Sequence, residues 1–132
     1  EEVRDPLLNV ELTVKPHPSC PIDPANYPKL KFAQTNQPLS SIIDQFDLAY
    51  TSSFSAAAID AYISGLRVIS VLDSSTLNLS PLRKVEGVEF VSTPDEFVVA
   101  LKTTSTIDID DNFFFYDDNL PRWCLLLTPK VK

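Results

Sequence analysis

His17 is the only histidine of the chain, and it stands in "VKPHPSCP" between Pro16 and Pro18, where an alternating apolar and polar run stops. The two prolines fix the backbone and withdraw two amide donors, which leaves the imidazole as the principal polar group of the stretch. With the Lys15 ammonium close by, an imidazole donor there suits a diphosphate. The competing role is a partly buried histidine satisfied by a backbone carbonyl, since no carboxylate lies close enough in sequence to mark a catalytic dyad. Thr51, Ser52 and Ser53 form a second group, following the apolar "DLAY" and leading into an alanine-rich stretch. A helix beginning there would offer unpaired amides and a partial positive charge to a phosphate, with the hydroxyls as added donors. The same hydroxyls are also good helix caps, and that role stands beside the first. Asp60 lies about two helical turns beyond Ser52 and could reach the hydroxyl pair of a ribose, or simply be solvated. Asn78, Ser80 and Arg83 in "LNLSPLR" are a third polar group after an apolar run; their ordinary role would be a connection held by Pro81.

These groups need elements to position them. Val10 to Val14 alternates in polarity and ends before Pro16, which predicts a strand, and Leu30 to Ala33 predicts a second. Prolines 18, 21, 24 and 28 hold the connection extended. Leu39, Ile42, Ile43 and Phe46 have the spacing of one helix face. Asp47 to Tyr50 is expected to be a third strand, followed by a helix over "SSFSAAAIDAYISG" that stops at Gly65. "LRVISVL" and Val88 to Val91 read as buried parallel strands. Thr93, Pro94 and Glu96 have the spacing of a capping box for a helix whose core face is Phe97, Val98 and Leu101. Residues 105–132 are expected to be an acidic and aromatic surface crossing, "TIDIDDNFFFYDDN", and a short closing helix over "LPRWCLLL". Strands alternating with helices predict an α/β fold, a Rossmann-like parallel sheet flanked by helices. In such sheets ligands bind beyond the carboxyl ends of the strands, where the polar groups above fall.

Composition narrows the classes. The chain has 132 residues with 44% apolar content, about one domain, and it lacks methionine and opens on "EEVRDP", from which a single domain excised from a longer protein is expected. The formal charge of -7 and the scattering of its 11 basic residues argue against a nucleic-acid surface. No apolar run approaches the roughly 20 residues of a membrane span. Two glycines exclude GxGxxG and Walker loops. Cys20 and Cys124 fit no CxxC pattern and are expected to be free thiols in a reducing cytoplasm; with one histidine, a zinc site would need carboxylates.

"KPHP", "DLAYTSSFSAAAIDAYISGLRVISV" and "LNLSPLR" together resemble the carboxyl-terminal, donor-binding half of bacterial GT-B glycosyltransferases that make surface polysaccharides. The His-Pro and Ser-Ser elements are similar to those of bacterial sialyltransferases and related enzymes using CMP-activated sugars. The resemblance covers about Val10 to Leu127, and with "SPLR" and a terminal "LPRW" it extends to a group of surface carbohydrate biosynthesis proteins. It implies one lobe of a GT-B fold that binds a nucleotide-sugar donor, a CMP-sugar, without cofactor or metal. It further implies that His17 contacts the donor phosphate and that Ser52 and Ser53 hold it at the helix start. Where many GT-B enzymes use a glutamate for the ribose, Asp60 stands one methylene shorter. The catalytic base would lie in a missing amino-terminal lobe, so this lobe alone is expected to be inactive. The parent would be cytoplasmic, working at the inner face of the membrane through the full-length protein. Two alternatives stand beside this expectation. UDP-sugar 2-epimerases share the two-lobed fold and a histidine-proline element, but have a Gly-rich turn where this chain has "TSSFSA". The other is a noncatalytic α/β interaction module in which His17 is structural and the acidic "DIDDNFFFYDD" meets a partner.

Overall fold

The computed structural model describes residues 10–103, 109 and 120–127. Among these residues two parallel sheets are formed. The smaller pairs β1 (Thr13–Val14) with β2 (Ala33–Gln34), in the register Thr13↔Ala33 and Val14↔Gln34. Both are shorter than the runs 10–14 and 30–33 expected, and β2 lies further along the chain. Pro16 has no amide to continue the ladder, so pairing ends with the Thr35 amide on the Val14 carbonyl (3.1 Å). The proline-rich connection is tied back to β2 by the Gln34 side chain, which donates to the Ile22 carbonyl (2.9 Å).

The helix expected over "QPLSSIIDQF", residues 37–46, is instead two 3-10 turns, Leu39–Ser41 and Ile43–Gln45, broken at Ile42. Ser41 donates its hydroxyl to the Pro38 carbonyl (2.8 Å), a local bond that competes with helix formation, and two adjacent β-branched residues weaken it further. The apolar spacing still has its effect: Ile43 is buried, with Leu39 and Phe46 packed against the same cluster.

The larger sheet has the order β3-β4-β5, all parallel, from β3 (Leu48–Ser52), β4 (Arg67–Val71) and β5 (Val88–Val91). Between β3 and β4 runs α1 (Ala56–Ile63); after β5 comes α2 (Pro94–Lys102). Side chains of β4 alternate between two cores. Val68 joins Ala58, Ala61, Tyr62, Leu66 and Leu82 on the α1 face, while Ile69 joins Val91 and Ala100 on the α2 face. Helices thus cover both faces, the arrangement that a run as continuously apolar as "LRVISVL" requires.

α1 stops where the sequence predicts. Gly65 adopts φ 85°, and the amides of Leu66 and Gly65 bond the carbonyls of Ala61 (3.0 Å) and Tyr62 (2.9 Å), the paired bonds of a Schellman terminus. At the start of α2 the capping box is formed: Thr93 Oγ1 accepts from the Glu96 amide (3.2 Å), and Glu96 Oε2 accepts from the amides of Ser92 (2.6 Å) and Thr93 (3.3 Å). Phe97 and Leu101 pack on the second core as expected, but the buried residue of α2 is Ala100, and Val98 is half-buried and belongs to neither core.

Arg67 opens β4 and donates through Nη2 to Glu89 of β5 and to the Ala100 carbonyl in the last turn of α2. The last described element is α3 (Pro121–Leu127), in which Trp123, Leu125, Leu126 and Leu127 are exposed. Of the crossing segment expected before it, 104–108 and 110–119 lie outside the described residues, while Ile109 is half-buried with its Cδ1 near Gly65. No helix among the described residues is long and apolar enough to cross a membrane.

Candidate functional site

His17 follows β1 in a tight turn closed by the Cys20 amide on its own carbonyl (2.8 Å), with Pro18 in the position whose φ it pre-sets. The imidazole is exposed, not satisfied by a buried carbonyl. Its Nδ1 lies 2.6 Å from the Ser19 hydroxyl and accepts from the Ser19 amide (3.2 Å). Lys15 is exposed two residues earlier. Ser19 was not among the residues the sequence singled out, although a serine two places after a histidine in a Pro turn is the pattern that permits this bond.

The turn after β3 differs from expectation. Pairing of Ser52 with Val71 carries β3 through Thr51 and Ser52, and α1 begins only at Ala56 with Ser55 as its cap, accepting from the Ala57 amide (3.2 Å). Ser52 and Ser53 therefore do not sit on the helix start. Ser52 is exposed, and its hydroxyl accepts from the Phe54 amide (3.4 Å). Ser53 is 3% exposed, with its amide on the Val71 carbonyl (3.0 Å). Thr51 turns into the sheet, its hydroxyl 3.0 Å from that of the fully buried Ser70 on the facing strand. The amides of Ser53, Phe54, Ser55, Ala57 and Ala58 all have protein acceptors, so this turn is mostly self-satisfied.

Asp60 is exposed on α1, little more than one turn from the true helix start rather than two. Asn78, Ser80 and Arg83 are brought together, but with one another. Asn78 Oδ1 accepts from the Ser80 amide (3.1 Å), Ser80 Oγ accepts from the Leu82 amide (3.2 Å), and Arg83 Nη1 donates to the Ser80 carbonyl (3.1 Å). Ser80 is 2% exposed, so this loop folds as a compact connection that seats Leu82 in the core.

A further group sits at the carboxyl end of β4. Asp73 Oδ1 accepts from the Ser75 hydroxyl (2.6 Å) and amide (2.8 Å), which hold its carboxyl below the usual aspartate range, the hydroxyl contributing most. "DSS" just after an apolar run is the sequence signal for such a turn.

No hydrogen bond or ion pair among the described residues joins the His17 turn to Thr51, Ser52, Ser53 or Asp60. A shallow groove between β5 and α2, lined by Glu89, Val91, Asp95, Glu96 and Val99, includes none of the candidates. Its Glu89 is engaged by Arg67 and its Glu96 by the capping box. Among the described residues no three His, Cys, Asp or Glu side chains are grouped to hold a metal ion, and Cys20 and Cys124 are both exposed and unbridged.

Comparison of the chain with protein-family models, curated proteins and solved structures finds no match.

Proposed function

We propose that this chain is the donor-binding half of a sialyltransferase-like GT-B glycosyltransferase of bacterial surface polysaccharide biosynthesis, binding a CMP-activated sugar. The observation that carries the reading is the position of an exposed imidazole just beyond the parallel strand β1, in an α/β chain where an exposed hydroxyl, Ser52, also ends a parallel strand, β3. In this reading His17 and Lys15 supply donors to the phosphate. Ser52 adds a hydroxyl, and Asp60 accepts from the ribose. Thr51, Ser53, Asn78 and Ser80 have local or buried partners and act by shaping the turns that carry these groups. Catalysis belongs to an amino-terminal lobe that supplies the base, and the whole protein works in the cytoplasm at the inner face of the membrane.

One observation favours a second reading. The exposed Trp123, Leu125, Leu126 and Leu127 of α3 are an unusual concentration of large apolar side chains, which suits an interaction module.

Titration of the chain with CMP, UDP and inorganic phosphate, followed by amide chemical shifts, separates the readings. Shifts at Lys15, His17 and Ser52 with CMP, lost in His17→Ala while the remaining spectrum stays folded, are the expected outcome. Absence of any shift at these residues at millimolar CMP would overturn the donor-lobe reading.

A further inference from the structure

The bonds around His17 determine which of its ring nitrogens can meet a ligand. The Ser19 amide can only donate, so the nitrogen it points to, Nδ1, is an acceptor in the neutral ring. The Ser19 hydroxyl at 2.6 Å can donate to the same nitrogen or accept from it. With Nδ1 so occupied, the proton of the neutral imidazole belongs on Nε2, for which no described residue is a hydrogen-bond partner. In the imidazolium, Nδ1–H donates to the Ser19 hydroxyl, the amide bond is given up, and Nε2 still carries its proton. We propose that Ser19 is the positioning residue for His17: it holds the ring so that Nε2 is a hydrogen-bond donor in both charge states. That nitrogen is then suited to an anionic oxygen such as a phosphate, and unsuited to act as a general base or as a metal ligand.

The proposal deepens the donor-lobe reading and rests on it for the identity of the ligand, though the state of the ring can be measured without one. Because His17 is the only histidine, the imidazole nitrogens of the 15N-labelled chain are assigned without ambiguity. Long-range proton–nitrogen spectra are recorded at about pH 8.5, well above the ordinary imidazole range near 6.5. The expected result is one tautomer, with Nε2 protonated and Nδ1 bare, and a nitrogen–nitrogen coupling across the Ser19 amide bond. Ser19→Ala removes the hydroxyl but keeps the amide donor, so the neutral ring should keep its tautomer. At about pH 5, by contrast, its Nδ1–H should move towards the shift of a free imidazolium, and CMP binding should weaken about two- to ten-fold, the worth of one hydrogen bond. Ser19→Thr should restore both. A proton on Nδ1 of the neutral wild-type ring, or an Nδ1–H shift at the lower pH unchanged in Ser19→Ala, would overturn the proposal. A fixed Nε2–H tautomer in a chain that CMP and inorganic phosphate leave unperturbed would count against the donor-lobe reading alone.

Discussion

Several hydroxyl side chains crowd the stretch from Thr51 to Ser55, and each of them is chemically able to cap a helix. Which one does so is decided by strand pairing, because the Ser52↔Val71 pair extends β3 and delays the helix to Ala56. Sequence pattern sees the cap-forming residues but not the register of a strand some twenty residues away. The His17 turn differs from expectation as well: the prolines predict an extended connection, whereas Pro18 pre-sets a tight turn that the Cys20 amide closes on the His17 carbonyl. Asp73 provides a test at this scale. Its carboxyl is stabilised in the charged form by Ser75, so Ser75→Ala should raise its titration midpoint towards the ordinary aspartate value, read by carbon NMR of the carboxyl. A depressed carboxylate contributes stability that is complete above the unfolded value of about 3.9 and lost as the pH falls through the lower, folded value. The variant should therefore lose less of its stability than the wild type on acidification through that window.

Among the elements, those set by one short motif were read most closely. The box of Thr93 and Glu96 begins α2 at Pro94, and Gly65 ends α1 with its paired terminal bonds. Both depend on residues within four positions. The 3-10 turns around Ile42 were not legible, because apolar spacing reports which side chains are buried and not how tightly the backbone winds. Gly65→Ala is expected to destabilise the chain by about 1 kcal/mol in chemical denaturation, from backbone strain at positive φ. Steric exclusion should add little, as a methyl group there would meet Ile109 Cδ1 at 3.6 Å, an ordinary contact.

For the molecule as a whole, the α/β class followed from the alternation of apolar runs, while the division into two sheets did not, since β1 and β2 contribute only two residues each. The long-range tie through Arg67 was also out of reach: nothing near it in sequence shows that Glu89 and the Ala100 carbonyl would meet its guanidinium. Arg67 and Glu89 side chains are 12% and 29% exposed, and the Arg67 Nε is buried with no partner among the described residues. Arg67→Ala leaves a half-buried carboxylate and an unsatisfied carbonyl, and should cost about 2–3 kcal/mol in urea unfolding, discounted from a fully buried pair for the solvent that reaches Glu89. Arg67→Met with Glu89→Leu should recover most of that loss.

The alternation along β4 also governs which changes of chain length the molecule tolerates. Val68 and Ile69 are both completely buried, but in different cores, and Arg67 shares the face of Glu89. A single residue inserted between Arg67 and Val71 would exchange the two faces, sending the guanidinium towards Tyr62 and an apolar side chain towards Glu89. The polar segment from Ser74 to Leu77, exposed throughout, has no such parity to keep. Length variation among descendants of this chain should therefore collect after β4 and be nearly absent within it.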